Sequence, residues 1–317
     1  MLPKRLLLLE EKVLATDQSV WQAAMRELAE VRHGNALTLL HTSMSDLCED
    51  RSACARACFE LAVCQHSDVA LRHSSYEIRE SSLLVAGRCR EVRAIDEVSR
   101  ILRNESTVAI RQLAAQVLGE INQEACVEAL QQARSDRSQQ VRVSALEALK
   151  TLKYSSAERA IAGFLDDVNW STREIAFEHL SNTGWIPRSN RQRVQRAVML
   201  GRFDEAVRYG EESVQPLIGS ALCLGNSEVR DWAAANLAKI RTPRVIAGLR
   251  AGLKSPHPEV RRAAEEALQA VEPLPPVIAA GAPAPPVPQP VPQKPTCPEH
   301  ARPFEAACSL LADALEL

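Results

Sequence analysis

The sequence predicts an all-α protein: an α-solenoid of about eight or nine stacked helical hairpins, followed by a proline-rich linker and a C-terminal helix. Three observations predict it. The composition combines 46% hydrophobic and 25% charged residues with only 4% aromatics and 12 glycines in 317 residues, which supplies a large core but favours helices over twisted sheets. A pattern of apolar or small residues at offsets 0, 4, 8 and 11 recurs along the chain, and these offsets stay on one helix face because each step is close to whole turns. The pattern returns about every 31 residues, the period of stacked helix pairs that bury their apolar faces only against neighbours.

Taken in order, the chain opens with Leu6 to Leu9 followed at once by Glu10-Glu11-Lys12. That apolar run is too short for a secretory signal, so the expected location is cytoplasmic and the nine cysteines are expected to be reduced thiols. The pattern then begins at the anchors Val20, Ala53, Ile78, Ile110, Val141, Thr172, Val229 and Val260, spaced by 33, 25, 32, 31, 31, 57 and 31 residues. Four residues on, mostly alanines such as Ala24, Ala57, Ala114, Ala145, Ala176, Ala233 and Ala264 let a neighbouring backbone approach. Eight residues on, Leu28, Leu61, Leu118, Leu149, Leu180, Leu237 and Leu268 fill the layer beneath. At the fourth position stand Val31, Cys64, Cys89, Ile121, Leu152, Thr183, Ile240 and Val271. Shorter apolar stretches between them read as a second helix per unit: 36–44, 94–102, 126–133, 160–165, 214–222 and 245–253. The 57-residue spacing has room for a degenerate unit near Arg191 to Gly210.

Segments such as Val229-Arg230-Asp231-Trp232-Ala233-Ala234, Val260-Arg261-Arg262-Ala263-Ala264-Glu265-Glu266-Ala267-Leu268 and Glu212-Ser213-Val214-Gln215-Pro216-Leu217-Ile218 resemble HEAT repeats of the short, phycobilin-lyase type, over roughly Ser19 to Val271. The resemblance implies a solenoid that serves as a protein-binding scaffold, and the same repeats occur in lyases and in an iron-dependent hydroxylase. An arginine follows the anchor in six of eight units, as Arg79, Arg111, Arg142, Arg173, Arg230 and Arg261. In such families it bonds acidic or carbonyl groups of the adjacent turn, a structural role that Asp136 and Asp167, five residues before their anchors, would complete.

Chemistry-bearing residues are few. Cys48, Cys54, Cys58 and Cys64 are weak metal candidates: Cys54 and Cys58 sit inside a helical run rather than across a tight turn, and the repeat frame makes Cys58 and Cys64 core residues, so no metal is expected. Glu178-His179 and Glu299-His300 reverse the order of an iron-binding His-Glu pair. Nucleotide-binding, nucleophile-elbow and zincin motifs are absent, so neither an enzyme nor a cofactor is expected. Arg188, Arg191, Arg193, Arg196 and Arg202 form a basic run with no acid from Ile186 to Phe203, inside the degenerate unit, and Trp170 and Trp185 lie beside it. These residues, Arg202 apart, are the candidate partner-binding set. A net charge of −2 and few aromatics argue against bulk nucleic-acid binding, and no stretch suits membrane insertion.

The C-terminal part divides in two. Eleven prolines between residues 273 and 298 exclude a helix and give a semi-stiff spacer. In 299–317, Phe304, Cys308, Leu311 and Leu315 share one face of a helix that would dock on the solenoid, a second copy or a partner. Residues 1–272, 273–298 and 299–317 are therefore expected to be array, linker and tail. The leading functional expectation is a non-enzymatic scaffold or adaptor for protein partners; the alternatives are a bilin lyase or lyase subunit, implied by the resemblance, and a cysteine-based redox or metal sensor. The sequence leaves the oligomeric state open.

Overall fold

Capping and amphipathic chemistry convert the repeat frame into helices. Asp17 accepts hydrogen bonds from the amides of Ser19 and Val20, Asn226 from that of Val229, and Thr242 from that of Val245 ahead of Pro243, so each fixes a helix start. A computed structural model describes residues 4–271, which form an all-α solenoid with no β-strand among the described residues. The helices are α1 (Lys4–Val13), α2 (Gln18–Ala29), α3 (Gly34–Ser43), α4 (Glu49–Gln65), α5 (Ser67–Leu71), α6 (Tyr76–Arg88), α7 (Ile95–Asn104), α8 (Val108–Ile121) and α9 (Cys126–Gln132). They continue as α10 (Gln139–Thr151), α11 (Ser155–Gly163), α12 (Trp170–Asn182), α13 (Asn190–Met199), α14 (Phe203–Val207), α15 (Val214–Ala221), α16 (Ser227–Ile240), α17 (Pro243–Gly252) and α18 (Pro258–Val271). The proline-rich stretch 273–298 and the expected tail helix with Phe304, Cys308, Leu311 and Leu315 lie outside the described residues.

The frame helices α2, α4, α6, α8, α10 and α12 pack side by side, and α3, α5, α7, α9 and α11 form the second layer. Leu118, Leu149, Leu180 and Leu237 are fully buried, as the frame requires. Gly119 on α8 lets α10 approach closely: a Cβ there would stand 3.0 Å from the Ala148 Cβ.

The arginine ladder is structural. The Arg79 guanidinium lies 3.1 Å from Glu105, Arg111 is bidentate on Asp136 at 2.7 and 2.9 Å, and Arg142 is bidentate on Asp167 at 2.7 and 2.9 Å. Each arginine also donates to carbonyls of the turn before its own helix, so one side chain ties two successive units. Burial pushes the Asp136 carboxyl up, but hydrogen bonds from Arg111 and the Ser138 amide, together with the charges of Arg111 and Arg137, outweigh it and hold the group below its ordinary value. Glu105 is held down in the same way: burial pushes it up, and the Arg79 charge with hydrogen bonds from Thr107 and Ser106 together outweigh burial.

The frame needs correction in its first two units and at two helix ends. In α4, Ala53, Ala57 and Leu61 are exposed, and Ala55, Phe59 and Ala62 are buried instead, at offsets 4, 8 and 11 from Arg51. That register restores a spacing of 31 residues from Val20. Its first position is a polar residue: Arg51 lies over the Trp21 ring, 5.2 Å from the centroid, and donates to the carbonyls of Ala15 and Thr16. Val20 is itself exposed and Trp21 takes the buried place. Cys89 and Thr183 are exposed because α6 and α12 end just before them.

A surface pair shows the same unit-to-unit stitching. Glu97 on α7 accepts from Arg72, after α5, and from Arg100 at 2.8 Å. The Arg72 hydrogen bond, opposed by burial and reinforced by Arg100, lowers the Glu97 carboxyl from 4.5 to about 2. A depressed folded-state value stabilises the fold above the ordinary carboxylate range, and the effect is lost as pH falls through about 2. Glu97→Gln is expected to lower stability at neutral pH, with the gap to wild type closing between about pH 4 and pH 2 in urea unfolding. A gap that does not depend on pH would show that the carboxylate charge is not what Glu97 contributes.

Candidate partner-binding site

The regular frame breaks between α12 and α15. In place of a full frame helix the chain has the five-residue α14, preceded by α13. The segments leading into α12 and α16 meet directly: the Trp170 amide donates to the Leu224 carbonyl at 2.8 Å and the Leu224 amide to the Val168 carbonyl at 2.7 Å. Leu224 also sits five residues before its anchor, where the earlier units carry the ladder acid. Arg173 is thus left with neutral acceptors, the Asp167 and Gly219 carbonyls and the Ser220 hydroxyl. Burial lowers its pKa below the usual arginine value, though the guanidinium stays protonated at neutral pH.

Local chemistry shapes this insertion. The Ser189 hydroxyl accepts from the Gln192 amide, and the Gln192 side chain accepts from the Arg188 amide, a reciprocal cap that starts α13. Val194, Ala197 and Val198 form its buried face. Gly201, with φ +67° and open space where a Cβ would stand, turns the chain into α14. Phe203 then stacks on Trp232 of α16, 4.4 Å between centroids, and fixes α14 to the next full unit.

With the apolar face of α13 turned inward, its arginines point out and divide between two cavities. Arg193 and Arg196, one turn apart, line a cavity of about 290 Å³ with Arg202. Arg188 and Arg191 line another of about 510 Å³, together with Arg244 of α17. The candidates are not equivalent. Arg191 is 2.5 Å from Asp166, which also accepts from Gln195, so it helps dock α13 on the preceding unit. Arg196 and the Arg188 guanidinium have no ion-pair partner among the described residues.

Neither tryptophan lines these cavities. Trp170 is half-buried, donates to Glu174 at 2.7 Å and packs beside the α13–α16 core. Trp185 is half-buried against the central core. Arg244, Ile186, Leu200 and Tyr209 are cavity residues that the sequence reading did not select. Arg244 follows a helix-starting proline far along the chain and carries no local signal, whereas Ile186 lies just before the basic run and Leu200 within it, and both were legible as large aliphatics outside the apolar face of α13.

The cysteines do not converge: among the described residues no group of three or more His, Cys, Asp or Glu could hold a metal ion. Cys58 is buried, Cys54 and Cys64 are half-buried and Cys48 is exposed. Burial, reinforced by Cys54, pushes the Cys58 thiol up to about 11. Burial and a hydrogen bond with Cys89 push Cys64 up to about 12. Both shifts disfavour the nucleophilic thiolate at neutral pH.

Residues 187–269 match the family model for HEAT repeats. No curated protein matches the chain. Among solved structures, human deoxyhypusine hydroxylase in complex with glycerol is 20% identical, covering 75% of this chain and 96% of that one at a TM-score of 0.31. The CpcE and CpcF complex of phycocyanin lyase from Nostoc is 14% identical, covering 84% and 94% at a TM-score of 0.27. A designed armadillo repeat protein is 17% identical, covering 84% and 99% at a TM-score of 0.18. These likenesses carry no activity over to this chain.

Proposed function

We propose, on the premise that this chain is a HEAT-repeat protein, that it is a non-enzymatic scaffold or adaptor and holds partner proteins on the solenoid surface, with the α13–α14 insertion as a principal contact. In this reading residues 1–272 are the binding array, 273–298 a spacer and 299–317 a tethered helix. The observation that supports it is the contrast between arginines. Those of the regular frame at Arg79, Arg111 and Arg142 are bound to acids of the next unit, whereas the insertion presents Arg196 and the Arg188 guanidinium to solvent without such partners. Repeat arrays spread recognition over a long surface, and a local departure from the frame gives that surface a distinct chemical character.

Arg193→Glu with Arg196→Glu is expected to reduce the set of proteins retained from a lysate, read by quantitative mass spectrometry, while the melting temperature stays within about 2 °C of wild type. Arg191 is a poorer choice for this test, because reversing it also breaks its ion pair with Asp166. An unchanged retained set from a folded variant would remove the insertion as the contact.

A further inference from the structure

We infer that the cavity beside α13 and α14 takes an acidic peptide segment that carries one apolar side chain. This deepens, and rests on, the reading of the chain as a binding scaffold. Arg193, Arg196 and Arg202 line the cavity together with Ile186, Leu200 and Tyr209. Arg193 donates only to the neutral Asn190 side chain, at 3.0 Å. Arg196 has no hydrogen-bond or ion-pair partner among the described residues. Arg202 has a loose exposed contact, 3.8 Å, with Glu205, which is the one acid on the wall. The three guanidiniums therefore exceed the local negative charge, and the run from Ile186 to Phe203 adds no acid to balance them.

The cavity also leaves large aliphatics in water: Ile186 is 76% exposed and Leu200 43%. An inorganic anion would answer the charge but leave both wet. A wholly apolar segment would cover them but desolvate guanidiniums without giving them acceptors, which is costly. Carboxylates flanking an aliphatic side chain satisfy both, with charge-assisted hydrogen bonds around an apolar centre. A volume of about 290 Å³ suits an anchoring side chain rather than a large cofactor. Tyr209 is the sole aromatic on the wall, so there is no row of rings on which nucleic-acid bases would stack.

The test is fluorescence anisotropy of the full chain with short labelled peptides: glutamates around a central leucine, glutamates alone, and lysines around a central leucine. The glutamate–leucine peptide is expected to bind most tightly and to weaken as salt rises. Arg193→Glu with Arg196→Glu should raise its Kd about tenfold or more, and the exposed Arg159→Glu on α11, as a charge control, should change it by less than about twofold. Ile186→Ser should bring the leucine peptide close to the glutamate-only peptide. Circular dichroism melts of every variant separate lost binding from lost folding. An unchanged Kd in the folded double variant overturns the inference, as does equal binding of the lysine peptide or of inorganic polyphosphate. If the glutamate–leucine peptide does not bind but the double variant still loses lysate partners, the ligand chemistry is wrong and the scaffold reading stands; if neither binding depends on the insertion, the inference fails and the insertion is removed as the contact.

Discussion

Asp167→Ala is expected to cost about 3–5 kcal/mol, because it leaves a buried guanidinium without its counter-charge. The side chains of Arg142 and Asp167 are 4% and 1% exposed, and both carboxylate oxygens accept from Arg142. One of those oxygens also accepts from the Asn169 amide at 2.8 Å, so the substitution loosens the turn into α12 as well. Asp167 further supplies nearby negative charge for Arg173, which has no carboxylate partner of its own and is opposed by burial. Asp136→Ala should cost less, since Asp136 is more exposed and serves Arg111 alone as its ladder partner. Glu60→Gln, which removes the exposed Glu60–Arg88 pair, should cost no more than about 1 kcal/mol. Urea unfolding followed by circular dichroism measures all three. A cost for Asp167→Ala no larger than that for Glu60→Gln would mean that the ladder is as solvated as a surface pair.

The ladder and the core were legible in the sequence for one reason: both repeat. Arg111 and Arg142 occupy one frame position, and Asp136 and Asp167 stand at one fixed distance before their anchors, so periodicity exposes the partners without coordinates. Glu105 plays the same part for Arg79 and was missed because glutamate replaces aspartate in that unit. Periodicity fails where the residues are interchangeable or the unit is broken. In α4, alanines and cysteines fall on every face, so the apolar pattern fits more than one register, and the true first position is Arg51. In the insertion, the basic run was visible but its division was not. Whether an arginine docks α13, as Arg191 does, or faces open space, as Arg196 does, depends on Asp166, which lies in the preceding unit.

Leu149→Ala and Leu61→Ala give the sharpest contrast, because both leucines occupy the same position of the frame read from sequence. Leu149 is fully buried within the central core. Removing its side chain leaves a cavity among close-packed helices that have little freedom to collapse, at about 2–5 kcal/mol. Leu61 is 47% exposed on α4, so its truncation should change stability by less than about 1 kcal/mol. Since each unit is held by its neighbours, Leu149→Ala should also raise hydrogen exchange across its own helix α10 and across α8, which packs against α10, before the terminal units respond. The two unfolding free energies decide the register directly. Equal costs would return α4 to the frame anchored at Ala53, and a cost for Leu149 below about 1 kcal/mol would put the core on a different face of α10.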